Sequence, residues 1–188
     1  MDEVRDTRHY VENASMAIFD FTGKVEVAVT YNLGEVQTAK VRPLSYDIPF
    51  QIDGNTVTFT LEHPRNLSVE VNGDIFYNFH LFTGSPERTI PDKDNPEVIY
   101  FGPGIHTVKN GELRVPSGKT VYLAGGAVLM GRVLIENVHD VKLLGRGIID
   151  HSIKGGIRIA NSRDVYVEGI VATQCATCLL YTSDAADD

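Results

Sequence analysis

The 188 residues are 43% hydrophobic and 22% charged, the make-up of an ordinary globular protein and not of a disordered one. A formal charge of −8 at pH 7, with no basic run, argues against wrapping nucleic acid, since neutralising phosphates takes clustered Lys and Arg. No apolar run approaches a membrane span, and the opening Met1-Asp2-Glu3-Val4-Arg5-Asp6 is the reverse of a secretion signal, so either the protein stays inside the cell or its natural start is missing.

In chain order the first signals are short antiparallel strands. Val25, Val27 and Val29 alternate with Glu26, Ala28 and Thr30, and Phe50-Gln51-Ile52 meets Val57-Thr58-Phe59-Thr60-Leu61 across Asp53-Gly54-Asn55-Thr56, a hairpin by its turn chemistry. Further runs at 15–21, 39–42, 67–71 and 79–82 are spaced by Gly, Pro, Asn and Asp, which predicts a β-sandwich over residues 1–84. Residues 85–96, with Pro86, Pro91 and Pro96 among charged neighbours, read as a linker.

From residue 97 to 177 the pattern changes to a repeat. Gly156 to Val167 copies Arg132 to Leu143 twenty-four positions on, with Ile135/Ile159, Asn137/Asn161, Asp140/Asp164, Val141/Val165 and Gly145/Gly169 coinciding. A weaker copy lies upstream, where Leu113-Arg114-Val115 precedes a turn at Pro116-Ser117-Gly118-Lys119 and a strand at Thr120-Val121-Tyr122-Leu123. Short β runs at this period mean a solenoid, because one coil cannot bury its apolar face except against the next. Asn137 over Asn161 is expected to form an amide ladder, and the sandwich to cover the first end of the coil stack. Val165, Val167, Ile170 and Val171 are expected to be exposed at the other end, making the protein poorly soluble or oligomeric.

The last stretch, 178–188, breaks the repeat. Cys178-Leu179-Leu180-Tyr181-Thr182-Ser183-Asp184-Ala185-Ala186-Asp187-Asp188 resembles the in-frame translation of a transposon-based sequencing-library adapter, so the native sequence is expected to end near Thr177. The alternative is an acidic, solvated tail. Cys175-Ala176-Thr177-Cys178 spells C-x-x-C, but without a second such pair or nearby histidines a tetrahedral metal site is not completed, and neither a metal nor a cofactor is expected.

Several stretches together resemble bacterial polygalacturonase-like glycoside hydrolases of family 28 that carry a β-sandwich ahead of the β-helix. They are Leu67-Ser68-Val69-Glu70-Val71-Asn72-Gly73-Asp74 with Leu81-Phe82, then Val98-Ile99-Tyr100-Phe101-Gly102-Pro103-Gly104-Ile105-His106, then Val115-Pro116-Ser117-Gly118-Lys119-Thr120-Val121-Tyr122-Leu123-Ala124-Gly125-Gly126-Ala127, and Gly145-Arg146-Gly147-Ile148-Ile149-Asp150. The dextranase and isopullulanase family, with a similar two-domain plan, is the near alternative. The resemblance implies an all-β protein: an antiparallel sandwich followed by the first coils of a right-handed parallel β-helix of the pectin-lyase-like kind. It also implies a polysaccharide or oligosaccharide substrate, a secreted or periplasmic location, and no nucleic-acid or membrane partner.

Glycosidic cleavage needs two carboxyl groups, one to protonate the leaving oxygen and one to activate water or attack. The family carries them on Asn-Thr-Asp, Asp-Asp, His-Gly and Arg-Ile-Lys motifs, none of which stands here in its context; Arg158-Ile159-Ala160 lacks the lysine. The resemblance therefore implies that the catalytic residues lie beyond residue 177 and that the piece itself is inactive. Asp150 and His151, after the Gly145-x-Gly147 turn, are the candidates for contacting substrate at a groove rim, with a solvated loop pair as the alternative. Asp140 over Asp164 reads as turn hydrogen bonding, Gly145-x-Gly147 as a tight solenoid turn, and His80 and His106 as packing residues. Asn13-Ala14-Ser15 and Asn66-Leu67-Ser68 match a glycosylation pattern that carries no weight here. A polysaccharide lyase, which would call for an acidic calcium cluster, and a non-catalytic sugar-binding or adhesive β-helix stay open beside the hydrolase.

Overall fold

The computed structural model describes residues 15–152 and 155–173, and the backbone of 180–183. Within them the chain is β-structure apart from a 3-10 turn at Leu44–Tyr46, and no helix is long and apolar enough to cross a membrane. The residues form two compact units, one ending at Pro86 and the other beginning at Glu87.

The first unit holds β1 (Ser15–Asp20), β2 (Val25–Thr30), β3 (Ala39–Arg42), β4 (Phe50–Asp53), β5 (Thr56–Leu61), β6 (Leu67–Val71) and β7 (Phe79–Gly84). They make two sheets, ordered β1-β7-β6-β3 and β2-β5-β4. The hairpin closes where Asp53 faces Thr56, with Gly54 at φ +58 supplying a conformation that a side chain disfavours. Register places Val25 opposite Leu61, Val27 opposite Phe59 and Val29 opposite Val57, so the apolar halves of both alternations share one face. Val57, Phe59 and Leu61 of one sheet are buried in a single cluster with Val41, Leu67, Val69, Val71 and Leu81 of the other. Each such side chain contributes about 1.5–3 kcal/mol by leaving water. Glu70 is buried beside them and is ion-paired with Arg42. One pairing departs from the antiparallel expectation: β1 lies parallel to β7. Parallel neighbours need a long connection, and the five intervening strands provide it.

The second unit is a solenoid. Its strands are β8 (Val98–Phe101), β9 (Gly104–Arg114), β10 (Thr120–Leu123), β11 (Ala127–Glu136), β12 (His139–Gly145), β13 (Ile148–Asp150), β14 (Ile157–Ala160), β15 (Arg163–Val167), β16 (Val171–Ala172) and β17 (Leu180–Ser183). One sheet runs β15-β12-β10-β8; the other stacks β9, β11, then β13 and β14, then β16 and β17. All these pairings are parallel: Thr120 pairs with Val98 and Lys142, Lys142 with Tyr166, and Val133 with Leu113 and Ile157. Inward residues then stack in columns, Ile99 with Val121, Leu143 and Val167, and Leu129 with Ile149, to form one core. Val165, Val167 and Ile170, expected to be exposed, pack against that core, and Val171 is half-buried, because the coil encloses its own inner face.

Ahead of β8, Asp92 and Asn95 organise the chain through side-chain turns, accepting from the backbone N–H of Asp94 at 3.0 Å and of Glu97 at 2.9 Å. Tyr122 donates its hydroxyl to Glu87 at 2.9 Å, so Pro-rich residues read as linker begin against the solenoid's outer face. At the other end the backbone of β17 pairs with β14. Such pairing is open to any extended segment and reflects conformation, whatever the origin of the sequence. Asn13, Ala14, Cys175, Cys178, Leu179 and residues 184–188 lie outside the described residues.

The repeated polar residues have a backbone cause. Asn137, Asn161, Asp140 and Asp164 all sit at positive φ, between 48 and 57, the left-handed region that Asn and Asp tolerate better than other side chains. The expected amide ladder amounts to one contact, Asn161 Nδ2 to Asn137 Oδ1, at a long 3.4 Å. Serines do more of the stitching: Ser117 accepts from the His139 N–H at 3.0 Å, and Ser162 from the Val138 N–H at 3.2 Å.

Candidate functional site

Alternation along β13 decides which side chains reach the outside. Ile149 is fully buried, so Ile148 and Asp150 project from the opposite face. At the strand end His151 takes φ +53 and turns the chain, and the buried Ser152 donates its hydroxyl to the Gly155 carbonyl at 2.8 Å. The sequence Asp150-His151-Ser152 has the residue types of a nucleophilic triad, but that hydroxyl is directed into the turn.

Asp150 and His151 do meet. The Asp150 carboxylate engages His151 Nδ1 through one oxygen at 2.6 Å and accepts the Thr173 hydroxyl on the other at 2.7 Å. Thr173 follows β16 on the next coil, and register puts it in the column of Thr107, Met130 and Asp150. The Asp150 side chain is 17% exposed and that of His151 55%. This contact orients the imidazole ring, and with Nδ1 carrying the proton Nε2 would be the acceptor left for a hydroxyl. Thr173 was not a candidate from the sequence; the signal for it is the coil offset that brings residue 173 beside residue 150.

Among the described residues no second carboxylate is hydrogen-bonded to this group. Asp140 and Asp164 stack at the start of β12 and β15, in the other sheet, where Asp140 engages His139 Nδ1 at 2.7 Å and Asp164 lies 3.7 Å from Arg163. Both are exposed and sit at positive φ in their turns, their carboxylates facing the adjacent His139 and Arg163 side chains and not the turn hydrogen bonds expected of them. Among the described residues there is no group of three or more His, Cys, Asp or Glu placed to hold a metal ion.

Two further outward features are absent from the sequence reading. On β9, β11 and β14 an ion-pair chain runs from Arg132 to Glu112, from Glu112 to Arg114 at 3.0 Å, on to Glu136 at 3.2 Å, and to Arg158 at 2.8 Å. The Arg132 hydrogen bond chiefly holds the Glu112 carboxyl below its usual range, and Arg114 adds to the effect. Leu134, outward between Arg114 and Arg158, is nonetheless buried, consistent with cover by the arginine stems. On β8 and β10, Tyr100 stacks on Tyr122 with centroids 5.3 Å apart. Burial raises the Tyr122 phenol first, and its bond to Glu87 raises it further.

The isolated motifs resolve into packing. Gly145 and Gly147 let β12 and the following turn close onto the coil before: a Cβ on Gly145 would overlap the Leu123 carbonyl oxygen, and one on Gly147 would stand 2.6 Å from Leu123 Cβ. His106 Nε2 is 2.7 Å from the Gly102 carbonyl and edge-on to Phe101, while His80 stacks on Phe82.

No family model matches the chain, and no curated protein matches it. Among solved structures it is similar to Dex49A from Penicillium minioluteum, with a TM-score of 0.65 and 15% sequence identity, over 90% of this chain and 45% of that one. The chain thus spans less than half the length of that protein, and at this identity the likeness is one of fold.

Proposed function

We propose that the chain belongs to a carbohydrate-active β-helix protein that degrades a polysaccharide by hydrolysis of O-glycosidic bonds outside the cell. The observation that carries this reading is the fold likeness to Dex49A, a dextranase, which runs through both units of this chain. It favours the dextranase-like alternative over the polygalacturonase-like one, and pectin-like substrates stay within the proposal. A β-sandwich for the first unit and a right-handed helix for the second complete it, the former supported by the core shared between the two sheets.

In this reading Asp150 and His151 contact a sugar at the rim of the solenoid face, the carboxylate oriented by Thr173 and the imidazole by the carboxylate. Hydrolysis needs a second carboxyl group about 5–9.5 Å away, depending on stereochemistry. The direct partners of Asp150 among the described residues are His151 and Thr173, neither of them a carboxylic acid, and the 188-residue chain is proposed to bind without cleaving. That same observation favours a second reading, a non-catalytic sugar-binding β-helix. Affinity electrophoresis through dextran and polygalacturonan, with reducing-end release measured in parallel, tests both readings. Retention of the wild-type chain, weakened at least several-fold in Asp150→Asn, is the expected result. Equal mobility in both gels and in a gel without polysaccharide would sink the carbohydrate reading, and reducing ends released by the chain alone would overturn the binding-only statement.

A further inference from the structure

The first unit carries an open cleft of about 430 Å³, lined by Tyr46, His63, Pro64, Arg65, Asn66 and Thr83. In a chain of formal charge −8, this lining includes an arginine and a histidine and no carboxylate. Five arginines, at 42, 114, 132, 158 and 163, have an acidic partner. Arg65 has none among the described residues.

Arg65 is also held in place. Its backbone N–H donates to the Thr83 hydroxyl oxygen at 2.7 Å, and the same hydroxyl donates to the Arg65 carbonyl at 2.7 Å. Its guanidinium carbon lies 4.3 Å from the centroid of the Tyr46 ring. A cation over a ring face is attracted without using up its hydrogen bonds, and the N–H fork of a guanidinium matches a carboxylate with two parallel hydrogen bonds. The cation is therefore positioned before any ligand arrives, which lowers the ordering cost of binding. Asn66 adds an amide for hydroxyl groups, His63 an imidazole, and Pro64 an apolar surface for the C–H face of a sugar ring.

We propose that this cleft is a second carbohydrate site, separate from Asp150 and His151, and that it takes a uronic-acid unit of an acidic oligosaccharide, the carboxylate on Arg65. The proposal rests on the polysaccharide reading for its ligand class. The test is a titration of the full chain with trigalacturonate, isomaltotriose and free galacturonate, following backbone amide resonances by NMR. Trigalacturonate should shift the amides of Arg65, Asn66 and Thr83, bind there at least tenfold more tightly than isomaltotriose or free galacturonate, and weaken with salt. Arg65→Ala should cost at least tenfold in affinity. Arg65→Lys, which keeps the charge and stem but loses the fork, should fall between; it carries the comparison if the alanine variant fails to fold.

Silent cleft amides, or equal affinity of wild type and both variants, would overturn the proposal. Equal binding of free galacturonate would reduce the cleft to an anion site, and equal binding of isomaltotriose would refute the uronate assignment. Shifts at Asp150 and Thr173 without shifts in the cleft would end this proposal while leaving the polysaccharide reading standing.

Discussion

Gly145 lies against Leu123 of the preceding coil so closely that a side chain on it would occupy the space of the Leu123 carbonyl oxygen. That oxygen also accepts the N–H of Arg146 at 2.9 Å and of Gly147 at 3.0 Å, so the contact is where one coil is fastened to the next. Gly145 is at φ +125 as well, a conformation that L side chains rarely adopt. Gly145→Ala should therefore cost about 3–5 kcal/mol, strain and overpacking adding. Gly118→Ala, also at positive φ but in open space, should cost only about 1–2 kcal/mol. Urea unfolding of the two variants checks the contrast.

Leu143 is fully buried between Val121 and Val167 in the solenoid column. Leu143→Ala should destabilise by about 2–5 kcal/mol, because removing the side chain leaves a cavity that the strands on either side hold open. A loss below about 1 kcal/mol in denaturant unfolding would mean that the coils relax into the space.

Tyr122 and Glu87 give the protein an alkaline limit. The phenol's ionisation is raised in the folded state, by burial first. Its contribution is therefore fully present below the ordinary tyrosine value, about 10, and is lost as pH rises through the folded value. Tyr122→Phe should cost about 1 kcal/mol at neutral pH, and the gap to wild type should narrow above about pH 10. Tyr122 should be among the last of the eight tyrosines to ionise in an ultraviolet titration.

Glu112 acts at the acidic end. Its carboxyl is held below the ordinary value, chiefly by Arg132. Stability from this group is present above the ordinary carboxylate range and is lost as pH falls through the lowered value. Glu112→Gln should flatten the acid limb of a stability profile while leaving the neutral core packing intact. An unchanged acid limb would show that the ion-pair chain is too solvated to contribute.

The solenoid was legible because its period is written in covalent sequence: Ile135 and Ile159, Val141 and Val165, Gly145 and Gly169 recur at one offset, and a strand's inward face follows from alternation alone. The hairpin around Gly54 was legible for the same local reason. The parallel β1–β7 pair was not, since five strands separate its members and no local signal names a partner. Asn137 and Asn161 were noticed for the right positions but for a side-chain ladder, whereas their shared left-handed backbone is the firmer common feature. At the candidate site the Gly145-x-Gly147 turn singles out Asp150 and His151 in the sequence, whereas the contact of Thr173 with Asp150 is not legible there because it depends on coil register.

By itself, the amino-acid order determined the all-β character, the coil period and the tight turn at Gly145-x-Gly147, since these depend on side-chain alternation and backbone conformation within a few residues. Only the tertiary structure decided that Glu112 reaches Arg132, that Tyr122 meets Glu87, and that Arg65 lies over the Tyr46 ring with its backbone bonded to Thr83. Those contacts join residues 18 to 35 positions apart, and hydrogen bonds and ion pairs act only over a few ångströms. Folding must first close the loop between such residues before their chemistry can be read.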